Sequence, residues 1–117
     1  MSGKLTLKKL KKHVGKEVCL SDWLEITQER INDFADCTED KQWIHIDIRK
    51  AKNSPLGGTV AHGFLVFSLL PFLSQKSVIL SYDCKMTINY GVNKVRFINS
   101  VRPGSRIRNR AVLEKAE

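Results

Sequence analysis

The chain has 117 residues, 42% hydrophobic, 27% charged and 8% aromatic, a composition that suits one globular domain. A second domain of ordinary size and wholesale disorder are both excluded. The formal charge of +8 sits at the two ends: residues 1–17 carry six lysines and one glutamate, and residues 94–117 carry seven basic and two acidic residues. The middle, 18–93, is mildly acidic, with seven basic and nine acidic side chains. Basic ends of this kind suit nucleic acid, anionic lipid, a phosphate-bearing cofactor, an acidic protein or plain solvent, and charge alone does not choose among them.

The first segment sets Leu7, Leu10 and Val14 on one face among lysines and reaches Gly15, which predicts a short basic amphipathic helix packed onto the domain. Thr27 is placed to cap a helix over Gln28–Cys37, with Ile31, Phe34 and Ala35 on its apolar face. A polar patch, 38–42, leads to Trp43-Ile44-His45-Ile46-Asp47, and Asn53-Ser54-Pro55 with Gly57-Gly58 marks a loop. Residues Phe64–Gln75 are apolar almost all round, which predicts a buried helix bent or ended at Pro71. Strands are expected at Met86–Tyr90, Asn93–Ile98 and Arg106–Leu113, the last with Arg106, Arg108 and Arg110 on one face, after a turn at Arg102-Pro103-Gly104-Ser105. The class is α+β, with helices first and antiparallel strands after.

The longest apolar run, Phe64 to Leu73, is ten residues, about half of a bilayer crossing, so no membrane span is expected. The N-terminus has lysines but no apolar core or cleavage site, and a cytoplasmic location is the expectation. Cys19, Cys37 and Cys84 are odd in number and lack a CxxC spacing, which suggests neither a disulfide framework nor a thiolate metal site.

Two stretches carry chemistry. In Asp40-Lys41-Gln42-Trp43-Ile44-His45-Ile46-Asp47 the acid and the histidine are five apart, a spacing that does not share a helix face. On a loop leaving a helix they can converge on one water as an acid–base pair. Asp47 either orients the imidazole or caps the next turn. In Thr59-Val60-Ala61-His62-Gly63-Phe64, a glycine opens the apolar helix, where unpaired backbone N–H groups can hold a carbonyl oxygen that gains negative charge. His62 is either a wall of that pocket or a hydrogen-bonded core residue.

These stretches, with Phe34-Ala35-Asp36 and Ala51 around the first, Ser68-Leu69-Leu70 after the second, and Tyr90–Phe97 followed by Val101-Arg102-Pro103-Gly104, resemble the MaoC-like dehydratases, which include the (R)-specific enoyl-CoA hydratases and a nodulation-protein-N-like branch. The resemblance covers roughly residues 14–113. It implies a hotdog fold over 1–117, a curved antiparallel sheet wrapped around a long buried helix, shorter at its C-terminal end than the family. It implies addition of water to a trans-2-enoyl thioester to give the (R)-3-hydroxyacyl thioester. Asp40 and His45 would activate the water, and the Gly63 N–H would polarise the carbonyl. Gln42, Trp43, His62, Phe64, Lys94 and Arg96 would contact substrate. The usual Asp-x-Asn-Pro-x-His here reads Asp-x-Gln-Trp-x-His.

The same resemblance implies no metal or redox cofactor, coenzyme A entering only as part of the substrate, and a homodimer or higher homo-oligomer. The thioester would be carried by coenzyme A or by an acyl carrier protein, either of which is acidic and suits the basic surface. A non-catalytic hotdog module that binds the same acyl groups is the alternative. Nucleic-acid binding would rest on charge alone, since no glycine-aromatic RNA motif or helix-turn-helix pattern is present, and is not expected.

Overall fold

Three α-helices among the described residues start where a side-chain oxygen closes the first turn. The Thr6 hydroxyl accepts from the Lys9 amide at 3.2 Å and opens α1, Leu7–Lys11. The Thr27 hydroxyl accepts from the Arg30 amide at 3.1 Å and opens α2, Gln28–Thr38. Asp47 closes the first turn of α4, Ile48–Lys52, by accepting from the Lys50 amide at 3.0 Å. Asp47 is therefore a cap, and the alternative of orienting an imidazole is discarded. The remaining helices are α3, Trp43–Ile46, α5, Gly63–Ser68, and α6, Leu70–Leu73, with a 3-10 turn at Val78–Ser81.

The computed structural model describes residues 5–117, which divide into two compact units. Lys4, one of the six N-terminal lysines, lies outside the described residues. The first unit comprises residues up to Asp22, Pro71–Val95 and Arg108–Glu117. Here β1, Glu17–Leu20, pairs antiparallel with β4, Arg110–Val112, and a register shift falls between Glu17 and Cys19. Leu10, Val18, Cys19 and Leu73 are buried, and Asn109 is buried among them with its amide donated to the Ser74 hydroxyl at 3.0 Å. On the surface of this unit, the Lys76 ammonium 2.7 Å away holds the Asp22 carboxyl below the usual carboxylate range. That contribution is present above the ordinary carboxylate pKa and fades as pH falls through the lowered one.

The second unit, Trp23–Leu70 with Arg96–Ile107, holds α2 to α5 and the antiparallel pair of β2, Leu24–Glu25, with β3, Arg106–Ile107. Ile26, Ile31, Ala35, Ala51, Val60, Ala61, Leu65 and Leu69 form its core, and Ile26 and Ile31 are wholly inaccessible. The 102–105 turn closes by a Ser105 N–H to Arg102 carbonyl bond of 3.0 Å. Pro103 fixes its second residue, and Gly104, at φ 89°, takes the left-handed third position of a type II turn.

The fold is thus mixed helix and sheet with antiparallel pairing, and α2 and its cap stand where the sequence puts them. Three expectations change. The helix expected over 64–75 is two helices that break at Leu69. The Pro71 ring would meet the Phe67 carbonyl if α5 ran on, so the break falls ahead of the proline. It is also buried on one face instead of all round: Leu65 and Leu69 are inside, whereas Phe64 is 69% exposed.

Residues 86–90 and 93–98 form no strand among the described residues. Their apolar side chains Met86, Ile88 and Tyr90 are exposed, so these segments have the pattern of strands without a neighbour to complete the ladder. Arg106–Leu113, expected as one strand, is divided into β3 and β4, which pair within different units. Its alternation holds throughout: Ile107, Ala111 and Leu113 are half-buried and Arg106, Arg108, Arg110 and Val112 exposed. No helix among the described residues is long and apolar enough to cross a membrane.

Candidate active site

Helix α2 ends in an unusual way. Glu39 follows it at φ 65°, a left-handed conformation uncommon for a residue with a side chain, and the chain reverses there. Asp40 is the next residue, and the polar stretch 40–42 carries the chain straight into α3, whose third residue is His45. Acid and histidine, on different faces of any single helix, are thereby turned toward each other. Asp40 Oδ2 lies 4.0 Å from His45 Nε2 and 3.9 Å from His62 Nε2.

Both imidazoles are buried, and the Asp40 side chain is 39% exposed, so the carboxylate is the open side of the cluster. His45 Nδ1 is 2.7 Å from the Val60 carbonyl, which only accepts. Nδ1 therefore carries the proton, and in the neutral ring Nε2 presents a lone pair toward Asp40. His62 is the reverse tautomer. Its Nε2 donates to the Asp40 main-chain carbonyl at 2.9 Å, and its Nδ1 is buried with no hydrogen-bond partner. The His45 and His62 rings stack, with centroids 3.7 Å apart and planes 23° from parallel. Phe34 of α2 touches His62, centroids 4.8 Å apart.

One ligand atom from each of Asp40, His45 and His62 falls within 4.8 Å of the others, the spread of a candidate metal site. A metal needs a lone pair from each ring; His62 Nε2 gives its hydrogen to the Asp40 carbonyl, and the lone pair of that ring is at Nδ1.

Residues 9–117 match the family described as MaoC like domain. The chain belongs to this family. Among curated proteins, the MaoC-like chain is 50% identical over 94 residues to 3-hydroxyacyl-thioester dehydratase Z of Mycobacterium tuberculosis H37Rv, covering 80% of this chain and 62% of that protein. It is 48% identical over 101 residues to nodulation protein N of Rhizobium meliloti strain 1021, covering 86% of this chain and 63% of that one. Among solved structures, a monoamine oxidase regulatory protein from Archaeoglobus superposes with a TM-score of 0.72 at 30% identity, over 90% of this chain and 67% of the other. A MaoC-like dehydratase from Rhodospirillum rubrum, at 23% identity and a TM-score of 0.63 over 80% of this chain and 60% of that one, shares the fold. The chain spans 62% of the length of the dehydratase it matches.

Within the MaoC-like chain, the structure gathers Asp40, His45 and His62, and Gln42 joins them by donating its side-chain amide to Asp40 Oδ1 at 3.2 Å. Gly63 follows His62 directly and opens α5. A Cβ at Gly63 would fall 2.7 Å from ring atoms of Phe97, so the aromatic face lies where a side chain would be. Gly63→Ala is expected to lose about 1–3 kcal/mol of stability by overpacking, read as a lowered urea midpoint. Phe64 sets its ring edge-on against Phe97 at 5.6 Å and is otherwise exposed. Trp43 turns to Lys50, whose ammonium sits 4.9 Å from the ring centroid, and lines a shallow depression with Asp47, Arg49 and Asn53. Lys94 and Arg96 are exposed, Arg96 in the same unit as the cluster and Lys94 in the other.

Sequence reading misses the groups that hold His45 in place. The Gln28 side-chain amide donates to the His45 carbonyl at 2.8 Å and to Asn32 Oδ1 at 2.9 Å, and its oxygen accepts from the Thr59 hydroxyl at 2.6 Å. With these three bonds the Gln28 side chain has both amide hydrogens and its oxygen engaged. Nothing local marks it, because Thr59 is 31 residues away. Gln28→Ala leaves a carbonyl and a hydroxyl without their partner. The expected loss is about 1–3 kcal/mol by denaturant titration, and an unchanged midpoint refutes the role.

Proposed function

We propose that this chain adds water to trans-2-enoyl thioesters, giving (R)-3-hydroxyacyl thioesters, and catalyses the reverse dehydration. The observation that carries the reading is the Asp40–His45 pair. The Val60 carbonyl fixes the His45 tautomer, and the lone pair at Nε2 faces a carboxylate oxygen 4.0 Å away. That gap is too long for a direct hydrogen bond, and a water oxygen at about 2.8 Å from each group fits it. A name carried by a relative at 50% identity, 3-hydroxyacyl-thioester dehydratase, supports the thioester as substrate class.

In this reading Asp40 and His45 hold the water between them. As its oxygen bonds to the β-carbon, His45 Nε2 takes the proton, and the electron pair of the double bond moves toward the thioester carbonyl. The Gly63 N–H steadies the oxygen on which charge develops. The α-carbon then takes a proton back from the acid–base pair, which restores the starting protonation. Gln42 keeps one carboxylate oxygen occupied, so that the other faces the water. No cofactor enters these steps.

The rest of the reading follows the family. Residues 1–117 belong to one hotdog domain that works as a homodimer or higher homo-oligomer. Trp43 and Phe64 border the acyl group, and Lys94 and Arg96 meet the phosphates of coenzyme A or the acidic surface of an acyl carrier protein. The test is hydration of crotonyl-CoA, followed as loss of enoyl-thioester absorbance, with chiral analysis of the product. Formation of (R)-3-hydroxybutyryl-CoA is the expected result. Binding of the thioester without turnover by the folded protein overturns the reading in favour of a binding module.

A further inference from the structure

His62 occupies the N-cap position of α5, yet its side chain makes no capping bond. Serine, threonine, aspartate and asparagine are the residues that serve that position. Its ring is instead 3% exposed, lies flat against His45, and gives its Nε2 hydrogen to the Asp40 main-chain carbonyl. Its Nδ1 is left buried without a hydrogen-bond partner from the protein. A core histidine selected for stability alone would have both nitrogens satisfied; locally unfavourable features of this kind collect where function holds them.

We propose that His62 is a positioning residue, holding Asp40 by its main chain and His45 by its ring face at the separation that one water bridges. This rests on the acid–base reading of the Asp40–His45 pair and departs from the expectation that His62 borders the acyl group. The two contacts work on different halves of the pair. The Nε2–H bond pins the turn that follows Glu39, where no helix restrains Asp40. The stack fixes the plane of the His45 ring, which the single Nδ1 bond to Val60 leaves free to swing about that bond. A misplacement of about 1 Å between reacting groups can lower a rate on the order of 10²-fold.

The experiment compares wild type, His62→Ala and His62→Gln by crotonyl-CoA kinetics, thermal unfolding and long-range 1H–15N spectra of the histidine side chains. Glutamine reaches as far as Nε2 and keeps an N–H for the Asp40 carbonyl while removing the ring. The expected kinetic result is a fall in kcat of about 10²-fold for His62→Ala at unchanged KM, with part of it recovered in His62→Gln. The expected spectra show His45 as the Nδ1–H tautomer in both proteins, with its Nε2 signal shifted and broadened in His62→Ala, where the ring swings about the Val60 bond. A raised KM at unchanged kcat overturns the proposal in favour of a substrate wall. Equal kcat losses in both variants, tracking equal losses of Tm, overturn it in favour of packing alone. The spectra do not depend on turnover. If the wild type is inactive, the hydratase reading fails by itself, and an unperturbed His45 signal in His62→Ala overturns the positioning role separately.

Discussion

Asp40→Asn is expected to lower kcat for crotonyl-CoA hydration by about 10²–10⁴-fold, the usual contribution of a positioned acid or base, with no change in Tm. The substitution is nearly isosteric. It keeps a side-chain oxygen for the Gln42 amide and the main-chain carbonyl for His62, so the turn after α2 retains its bonds. It removes only the charge and basicity at the oxygen facing His45 Nε2. His45→Gln is expected to lose as much activity and also to fall in stability, because the Val60 carbonyl loses a buried donor at 2.7 Å. The double variant should be no slower than the worse single one, since two groups sharing one water act as a unit. Turnover at the wild-type rate in Asp40→Asn removes the carboxylate from the mechanism.

Ile31→Ala is expected to destabilise the protein by about 2–5 kcal/mol, the range for deleting most of a fully buried aliphatic side chain. Ile31 is wholly inaccessible, and α2 carries it on the face that also presents Phe34 to His62 and Gln28 to the His45 carbonyl. In a chain of this size the corresponding drop in Tm is on the order of 10 °C or more. Activity per folded molecule should survive at low temperature, because no group of the acid–base pair is removed. A Tm within about 2 °C of wild type would mean that Ile31 is not packed as the structure has it. Together the two substitutions separate the groups that do chemistry from the helix that delivers them.

Much of this protein is legible one segment at a time. Thr27 and the apolar positions Ile31 and Ala35 announce α2, Pro103-Gly104 announces the closing turn, and alternation from Arg106 to Leu113 tells inward from outward residues. Asp40 and His45 are legible as a pair because the local run from Phe34 to Ala51 resembles the MaoC-like motif; their spacing alone does not single them out. Each of these signals is carried by neighbours in the chain, where a 3.6-residue or two-residue period translates directly into a face.

Contacts between distant residues settled the rest. Whether Asp47 would cap or orient depended on where α4 began. The strand-like segments 86–90 and 93–98 carry the right alternation, but a strand is made by its partner's hydrogen bonds, which no local pattern supplies. The His45 tautomer comes from a carbonyl 15 residues on, the Gln28 anchor from a hydroxyl 31 residues away, and the His62 contact from a carbonyl 22 residues back. The sequence by itself determined which side chains can move a proton. Only the tertiary structure decided which nitrogen holds it and what fixes each ring, because a tautomer is set by the acceptor in space and not by the residue beside it.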